Sequence, residues 1–253
     1  MTSGTPARIA PSGRKAPDTV AESRPAVVPK RRRTGHNGPI APPSPMGRGA
    51  PASPEVPSVP LPRVVAFSAS INRPSRTRTL VEAIAAELAR HRRIDLTVID
   101  LIDAGPGLGA LTRDDLPPPA EALVAAIEGA DALIVGTPVY KGAYSGLFKH
   151  VFDFVGAEAL VGLPVALAAT GGGLRHALVV EHALRPLFGF FSAHIAPTSV
   201  YAGGDEIAEG IVADPTVAAR IAAAGRELDA LLGVSRGADR AKAPAAEVVT
   251  VRP

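Results

Sequence analysis

The sequence contains no cysteine and no tryptophan, and only 7 Phe and 3 Tyr among its 253 residues. Without cysteine there can be no disulfide, no thiolate metal site and no cysteine nucleophile. No apolar run approaches the roughly 20 residues needed to span a bilayer, and the N-terminus lacks the apolar core of a secretion signal. These absences predict a soluble, cytoplasmic protein with no membrane partner. The histidines show no H-E-x-x-H or related zinc-ligand spacing. Ser145, between Tyr144 and Gly146, lacks the G-x-S-x-G elbow of a hydrolase.

The net charge of +3 hides an uneven distribution. Residues 1–60 carry nine Lys/Arg against three acids, and 13 of the 26 prolines. The remainder carries 18 basic and 21 acidic side chains, so the basic excess belongs to one segment. That segment has too few large apolar residues to offset its ordering entropy. It is expected to be a disordered Pro/Arg-rich extension. Its KRRR run (Lys30 to Arg33) has the charge to touch nucleic acid or anionic lipid, but a solvated tail is the simpler reading, and no nucleic-acid partner is expected. Residues 236–253 read as a flexible C-terminal tail.

What is present lies in 61–235. RVVAFS (Arg63 to Ser68), LTVIDLI (Leu96 to Ile102), DALIVG (Asp131 to Gly136) and PVALAAT (Pro164 to Thr170) are short apolar runs. Ala193 to Tyr201 is a fifth, with Pro197 a point of interruption. Between them Thr79–Leu88, Ala120–Ala130, Ser145–Val155 and Ala177–Gly189 carry helical apolar spacing, and Asp214 caps a last helix reaching about Leu232. The expected core face of the 145–155 helix holds Leu147, Phe148, Val151, Phe152 and Val155. Strands alternating with helices predict a doubly wound α/β domain, its parallel sheet covered on both faces. With five strands the flavodoxin-like order 2-1-3-4-5 follows, with ligands bound beyond the carboxyl ends of the strands near the switch point.

Three loops belong at those ends. The first, SASINRPSRTRT (Ser68 to Thr79), leads into a helix N-terminus, where free amides favour an anion. Ser70, Ser75 and Thr77 add hydroxyls and Arg76 a guanidinium, a set suited to a phosphate monoester; helix capping by Ser75 or Thr77 is the plainer alternative. The glycine spacings of a P-loop and of G-x-G-x-x-G are both missing. The second loop lies in TPVYKGAYSG (Thr137 to Gly146), where Pro138, Val139 and Tyr140 can line a planar ring and Gly142 permits close approach. An ordinary loop with a core tyrosine is the alternative there. The third is TGGG (Thr170 to Gly173), whose glycines can expose amides to the polar edge of a flat ligand or serve as a flexible link.

FMN has the three matching parts: a phosphate, a ring and a polar ring edge. SASINRPSRTRTL, GTPVYKGAYSGLFKH and ATGGGLRHALVVEHALRPLFGFF resemble the NAD(P)H-dependent FMN reductases of two-component alkanesulfonate monooxygenase systems, nearest the methanesulfonate branch. The resemblance covers roughly Val64 to Tyr201. It implies a phosphate site at Ser70, Ser75, Arg76 and Thr77, an isoalloxazine wall at Pro138, Val139, Tyr140 and Lys141, and a third loop at Gly171, Gly172 and Gly173. It implies FMN with NADPH or NADH, hydride passing from nicotinamide C4 to flavin N5, and no catalytic side chain. Reduced FMN would pass to a flavin-dependent monooxygenase. The resemblance further implies a homodimer or homotetramer, with Tyr144 as an inserted residue forming a π-helical bulge at the next helix and its interface. Ala69 stands where many members have glycine, which implies a small strain if that position needs positive φ.

Two other functions share these features. An FMN-retaining reductase of quinones, azo dyes or metal ions keeps its flavin as a prosthetic group. A flavodoxin-like electron carrier has no pyridine-nucleotide activity, but carriers of that kind are strongly acidic and clamp the ring between aromatics. His176, just after the glycines, is placed to touch flavin or nicotinamide, although hydride transfer needs no general base. Lys149 and Asp153, four apart on a helix, read as a surface ion pair.

Overall fold

The computed structural model describes residues 60–237. Apart from Pro60, Arg236 and Gly237, the expected N-terminal extension (1–60) and C-terminal tail (236–253) lie outside the described residues. The chain runs β1 (Arg63–Ser68), α1 (Arg76–His91), β2 (Asp95–Asp100), α2 (Pro118–Glu128), β3 (Ala132–Tyr140), β4 (Ala143–Tyr144), α3 (Gly146–Phe154) and β5 (Pro164–Thr170). A π-helical segment, Val180–Leu184, leads into α4 (Arg185–Phe190). β6 (His194–Ile195), β7 (Val200–Ala202), the small hairpin β8 (Ile207–Ala208) and β9 (Ile211–Val212), and α5 (Pro215–Gly237) complete it.

The parallel sheet has the order β2-β1-β3-β5, and the fifth position is shared by β6 and β7, which both pair with β5. This is the flavodoxin-like 2-1-3-4-5 arrangement. The fifth strand is broken around Pro197, as a residue without a backbone donor requires. Side chains alternate across the pleat. Val65, Phe67, Val135 and Leu167 point into one layer, and Val64, Ala66, Ile134 and Ala166 into the other. The first layer is aromatic: Phe148 contacts Phe67 at 6.0 Å and Phe152 at 4.8 Å, and Phe152 contacts Phe188 at 5.0 Å between ring centres. Truncating one such buried Phe costs about 3–5 kcal/mol. The second layer is aliphatic and is covered by α1 and α5. These two helices approach closely at Gly225, where a Cβ would lie 2.7 Å from Glu87 Cγ.

Three expectations need correction. Leu147 is 44% exposed, since each residue of α3 turns about 100° from the last and the buried face is taken by Phe148, Val151 and Phe152. Tyr144 does not open a π-helix: it pairs with Val139 in β4, and α3 starts as a regular helix capped by Ser145, whose Oγ accepts from the Phe148 amide. The π-helical turn lies instead in 177–189, which is not one regular helix.

Candidate functional site at the carboxyl ends of β1, β3 and β5

Register brings the three predicted loops together. Ser68 at the end of β1 lies opposite Gly136 of β3, Pro138 opposite Thr170 of β5, and Thr170 opposite Ala202 of β7. Each loop therefore leaves the same edge of the sheet from adjacent strands.

The loop after β1 is fastened along its length. The Ala69 amide donates to the Gly136 carbonyl at 2.8 Å, and Ala69 is not among the residues with positive φ, so alanine carries no strain there. Ser70 Oγ donates to the Asn72 carbonyl and accepts from the Asn72 amide, closing a tight turn. Arg73 donates from Nε to Asp100 Oδ2 at 2.7 Å and from Nη2 to both carboxylate oxygens of Asp103. Arg78 Nη1 donates to the same Asp100 oxygen at 2.7 Å. Their hydrogen bonds to the fully buried Asp100 raise both guanidinium pKa values. Asp100 Oδ1 and Ser68 Oγ, at paired positions of β2 and β1, are buried without a hydrogen-bond partner. Ser75 caps α1, accepting from the Arg78 amide, and its carbonyl accepts from the Thr79 amide. The amides of Arg76 and Thr77, in the first turn, have no helical partner. The Thr77 side chain is buried against Thr170 with the hydroxyls 2.6 Å apart, and Arg76 Nη1 donates to the Gly204 carbonyl at 2.6 Å.

TPVYKGAYSG is a hairpin. Val139 and Tyr140 pair with Tyr144 and Ala143 across Lys141 (φ 52°) and Gly142 (φ 83°). Two consecutive positive φ values make the primed two-residue turn that suits a twisted hairpin, which is why a glycine is needed there. Thr137 Oγ1, accepting from the Ser145 amide, holds its base. The tip is open: Tyr140 is 51% exposed, and Lys141 and Gly142 are exposed. Tyr144 turns inward, its ring 5.6 Å from Phe148.

The third loop behaves less simply than a row of bare amides. The Gly171 amide is already committed to the Ala202 carbonyl at 3.1 Å. Gly172 and Gly173 differ, since a Cβ built on either meets nothing within 4 Å. The Gly173 carbonyl accepts from the Tyr201 hydroxyl at 2.6 Å and from the His176 amide. Burial pushes the Tyr201 phenol above its ordinary value.

The structure thus brings Ser70, Ser75, Arg76, Thr77, Pro138, Val139, Tyr140, Lys141, Gly171, Gly172 and Gly173 to one edge. Sequence patterns did not disclose Tyr201 and Gly204, which come from a distant segment with no motif. The histidines take other roles. His150 Nε2 lies 3.0 Å from the Ala110 carbonyl and its ring meets Phe154, His176 pairs with Arg175, and His182 and His194 are exposed. Lys149 and Asp153 form the expected ion pair on α3. Among the described residues no group of three His, Asp or Glu is placed to hold a metal ion.

Chemically, this edge offers helix-terminal amides and an arginine at one end, a partly exposed tyrosine beside a lysine in the middle, and open glycines at the other. The profile of the NADPH-dependent FMN reductase family matches residues 62–206. The NADH-dependent FMN reductase SfnE of Pseudomonas putida is 49% identical over 177 residues, covering 70% of this chain and 95% of that protein. The FMN reductase (NADPH) of Pseudomonas aeruginosa is 45% identical over 172 residues, covering 68% and 92%. Among solved structures, an oxidoreductase of Corynebacterium diphtheriae is 34% identical with a TM-score of 0.62, covering 69% of this chain and 98% of that one.

Proposed function

The chain belongs to the NADPH-dependent FMN reductase family, and from that premise we propose that it takes up FMN at the β1/β3/β5 edge and hands the reduced flavin on to a flavin-dependent monooxygenase. It is an oxidoreductase that uses FMN and NAD(P)H. The names of the two relatives differ in nucleotide, one NADH and one NADPH.

The residues present fit FMN. The Arg76 and Thr77 amides at the α1 N-terminus, with the Arg76 guanidinium, suit its phosphate. Pro138, Val139 and Tyr140 offer a flat wall, and Lys141 a positive charge beside it. Gly172 and Gly173 leave their backbone open to the approach of a ring edge, since a Cβ on either meets nothing within 4 Å. When bound, FMN supplies the acceptor for the hydride of the nicotinamide. The chain's own groups bind and orient, and no side chain needs to move a proton. Ser70 and Ser75 shape the phosphate loop through turn and cap bonds, and Thr77 ties α1 to β5.

The observation that carries the exchange of flavin is the open hairpin tip. Tyr140 is 51% exposed, and Lys141, Gly142 and Gly172 are all exposed. A wall half in water suits a flavin that enters and leaves, whereas a retained cofactor is better served by a closed one. The family resemblance supports a sulfonate monooxygenase as recipient and a homodimer or homotetramer with Tyr144 near its interface, and the cytoplasmic location proposed with them rests on the sequence's lack of a long apolar run and of a signal core. No helix among the described residues is long and apolar enough to cross a membrane.

The test is gel filtration of the full chain followed by nicotinamide oxidation with and without added FMN. The protein should emerge colourless, oxidise NADPH or NADH only when FMN is added, and support a flavin-dependent monooxygenase in the same vessel. A yellow protein with equimolar FMN that reduces quinones, azo dyes or ferric ions unaided would replace this proposal by the flavin-retaining reductase.

A further inference from the structure

Tyr201 sits on β7 opposite Ala169 of β5 and packs against the aromatic layer. Its hydroxyl donates to the carbonyl of Gly173, 28 residues earlier, at 2.6 Å. The fit above it is tight. A Cβ at Gly171 would lie 2.4 Å from the Tyr201 hydroxyl oxygen and 3.3 Å from Cζ. The first glycine of the loop therefore rests on the phenol with room only for hydrogen, while Gly172 and Gly173 open outward. Two residues past β7, the Gly204 carbonyl receives Arg76 Nη1 at 2.6 Å, and Glu206 Oε2 holds the intervening Gly203 amide at 2.5 Å. One short segment, 201–206, thus grips both the glycine loop and the loop after β1.

We propose that Tyr201 is a positioning residue for the flavin ring: its hydroxyl sets the path of Gly171–Gly173, and the glycine at 171 is required because the phenol lies beneath it. The inference rests on the proposal that the glycine loop borders the flavin. Three glycines in succession have wide backbone freedom, and ordering such a loop on binding opposes affinity. A strut that orders it beforehand removes that penalty. A phenol is protonated, and so a donor, at neutral pH, and burial moves its pKa further up. The effect belongs to ring binding and is the same for FMN and riboflavin, because the hydroxyl's hydrogen bond goes to the Gly173 carbonyl of the glycine loop.

The experiment measures dissociation constants of FMN and riboflavin by flavin fluorescence titration of the full chain, for the parent, Tyr201→Phe, Gly171→Ala, the double variant and Gly173→Val. Tyr201→Phe should weaken both flavins equally, by roughly threefold to tenfold, the loss of one neutral hydrogen bond. Gly171→Ala should do about the same, since its methyl displaces the hydroxyl. The double variant should be no weaker than Tyr201→Phe alone, because the collision and the bond are one interaction. Factors that multiply in the double variant, or a Tyr201→Phe protein with parent affinity, overturn the inference. Gly173→Val separates this from the premise. Its side chain enters open space, so it should fold normally and lose flavin binding. If it binds FMN as the parent does, the glycine loop does not border the flavin. If it blocks binding while the other two variants multiply, only the role of Tyr201 is wrong.

Discussion

The loop after β1 and the hairpin tip after β3 leave neighbouring strands, yet they are built in opposite ways. The first is tied by side chains along its length: Ser70 to Asn72, Arg73 to Asp100 and Asp103, Ser75 to the helix it caps, Arg76 to Gly204. The second is fastened only at its base, by strand pairing and Thr137, and its tip stands in solvent. A preorganised anion site loses little entropy when phosphate arrives. A loosely bounded ring site lets the flat part of the ligand enter and leave. The contrast predicts that affinity resides mostly at the phosphate end and that exchange is governed at the ring end.

The largest expected effect is at the fastened loop. Arg76→Ala should weaken FMN by roughly tenfold to a hundredfold, the loss of a charge-assisted bond to phosphate, and riboflavin far less. Parallel titrations of the two flavins check this, and equal losses would erase the distinction between the two loops. Next comes the network beneath it. Asp100→Asn removes a buried charge shared by Arg73 and Arg78, both of which can still reach water at 49% and 28% side-chain exposure. That accessibility holds the loss to about 1–2 kcal/mol, or a fall of about 2–8 °C in melting temperature by calorimetry. An unchanged melting point would mean that the loop is fastened elsewhere. The smallest effect should come from the open tip. Tyr140→Ala should leave the melting point within about 1 °C, as an exposed side chain contributes little to stability. It should weaken FMN and riboflavin by the same factor, about threefold to tenfold, through the lost ring contact. A large stability loss in this variant would show that the hairpin is part of the core and not a loose wall.

Much of the fold was legible because its signals are local. RVVAFS coincides with β1, residue for residue: Val64 to Phe67 are apolar because both faces of the strand are covered there, and the strand is bounded by Pro62 before it and a polar loop after it. The broken fifth strand was marked by Pro197, and Asp214 does cap α5, accepting from the Thr216 and Val217 amides. The hairpin within TPVYKGAYSG was less visible. Its Lys-Gly turn lacks the Asn-Gly or Asp-Gly pair that usually announces one, and the pairing on either side is only two residues long. The π-helical turn at Val180–Leu184 follows a sequence whose apolar spacing also suits a regular helix.

By itself the amino-acid sequence determined the alternation of strands and helices, the two-sided burial of the sheet, and the three loops that meet at one edge. These depend on patterns within a few residues of each other, where hydrophobic period, capping and turn chemistry act directly. The tertiary structure alone decided that Gly171 spends its amide on Ala202, that Arg76 is drawn to Gly204, and that Tyr201 lies under the glycine loop. Those contacts join residues 28 to 128 positions apart. They exist because β7 pairs beside β5, and strand pairing over such separations is set by how the whole sheet packs and not by any short stretch of sequence.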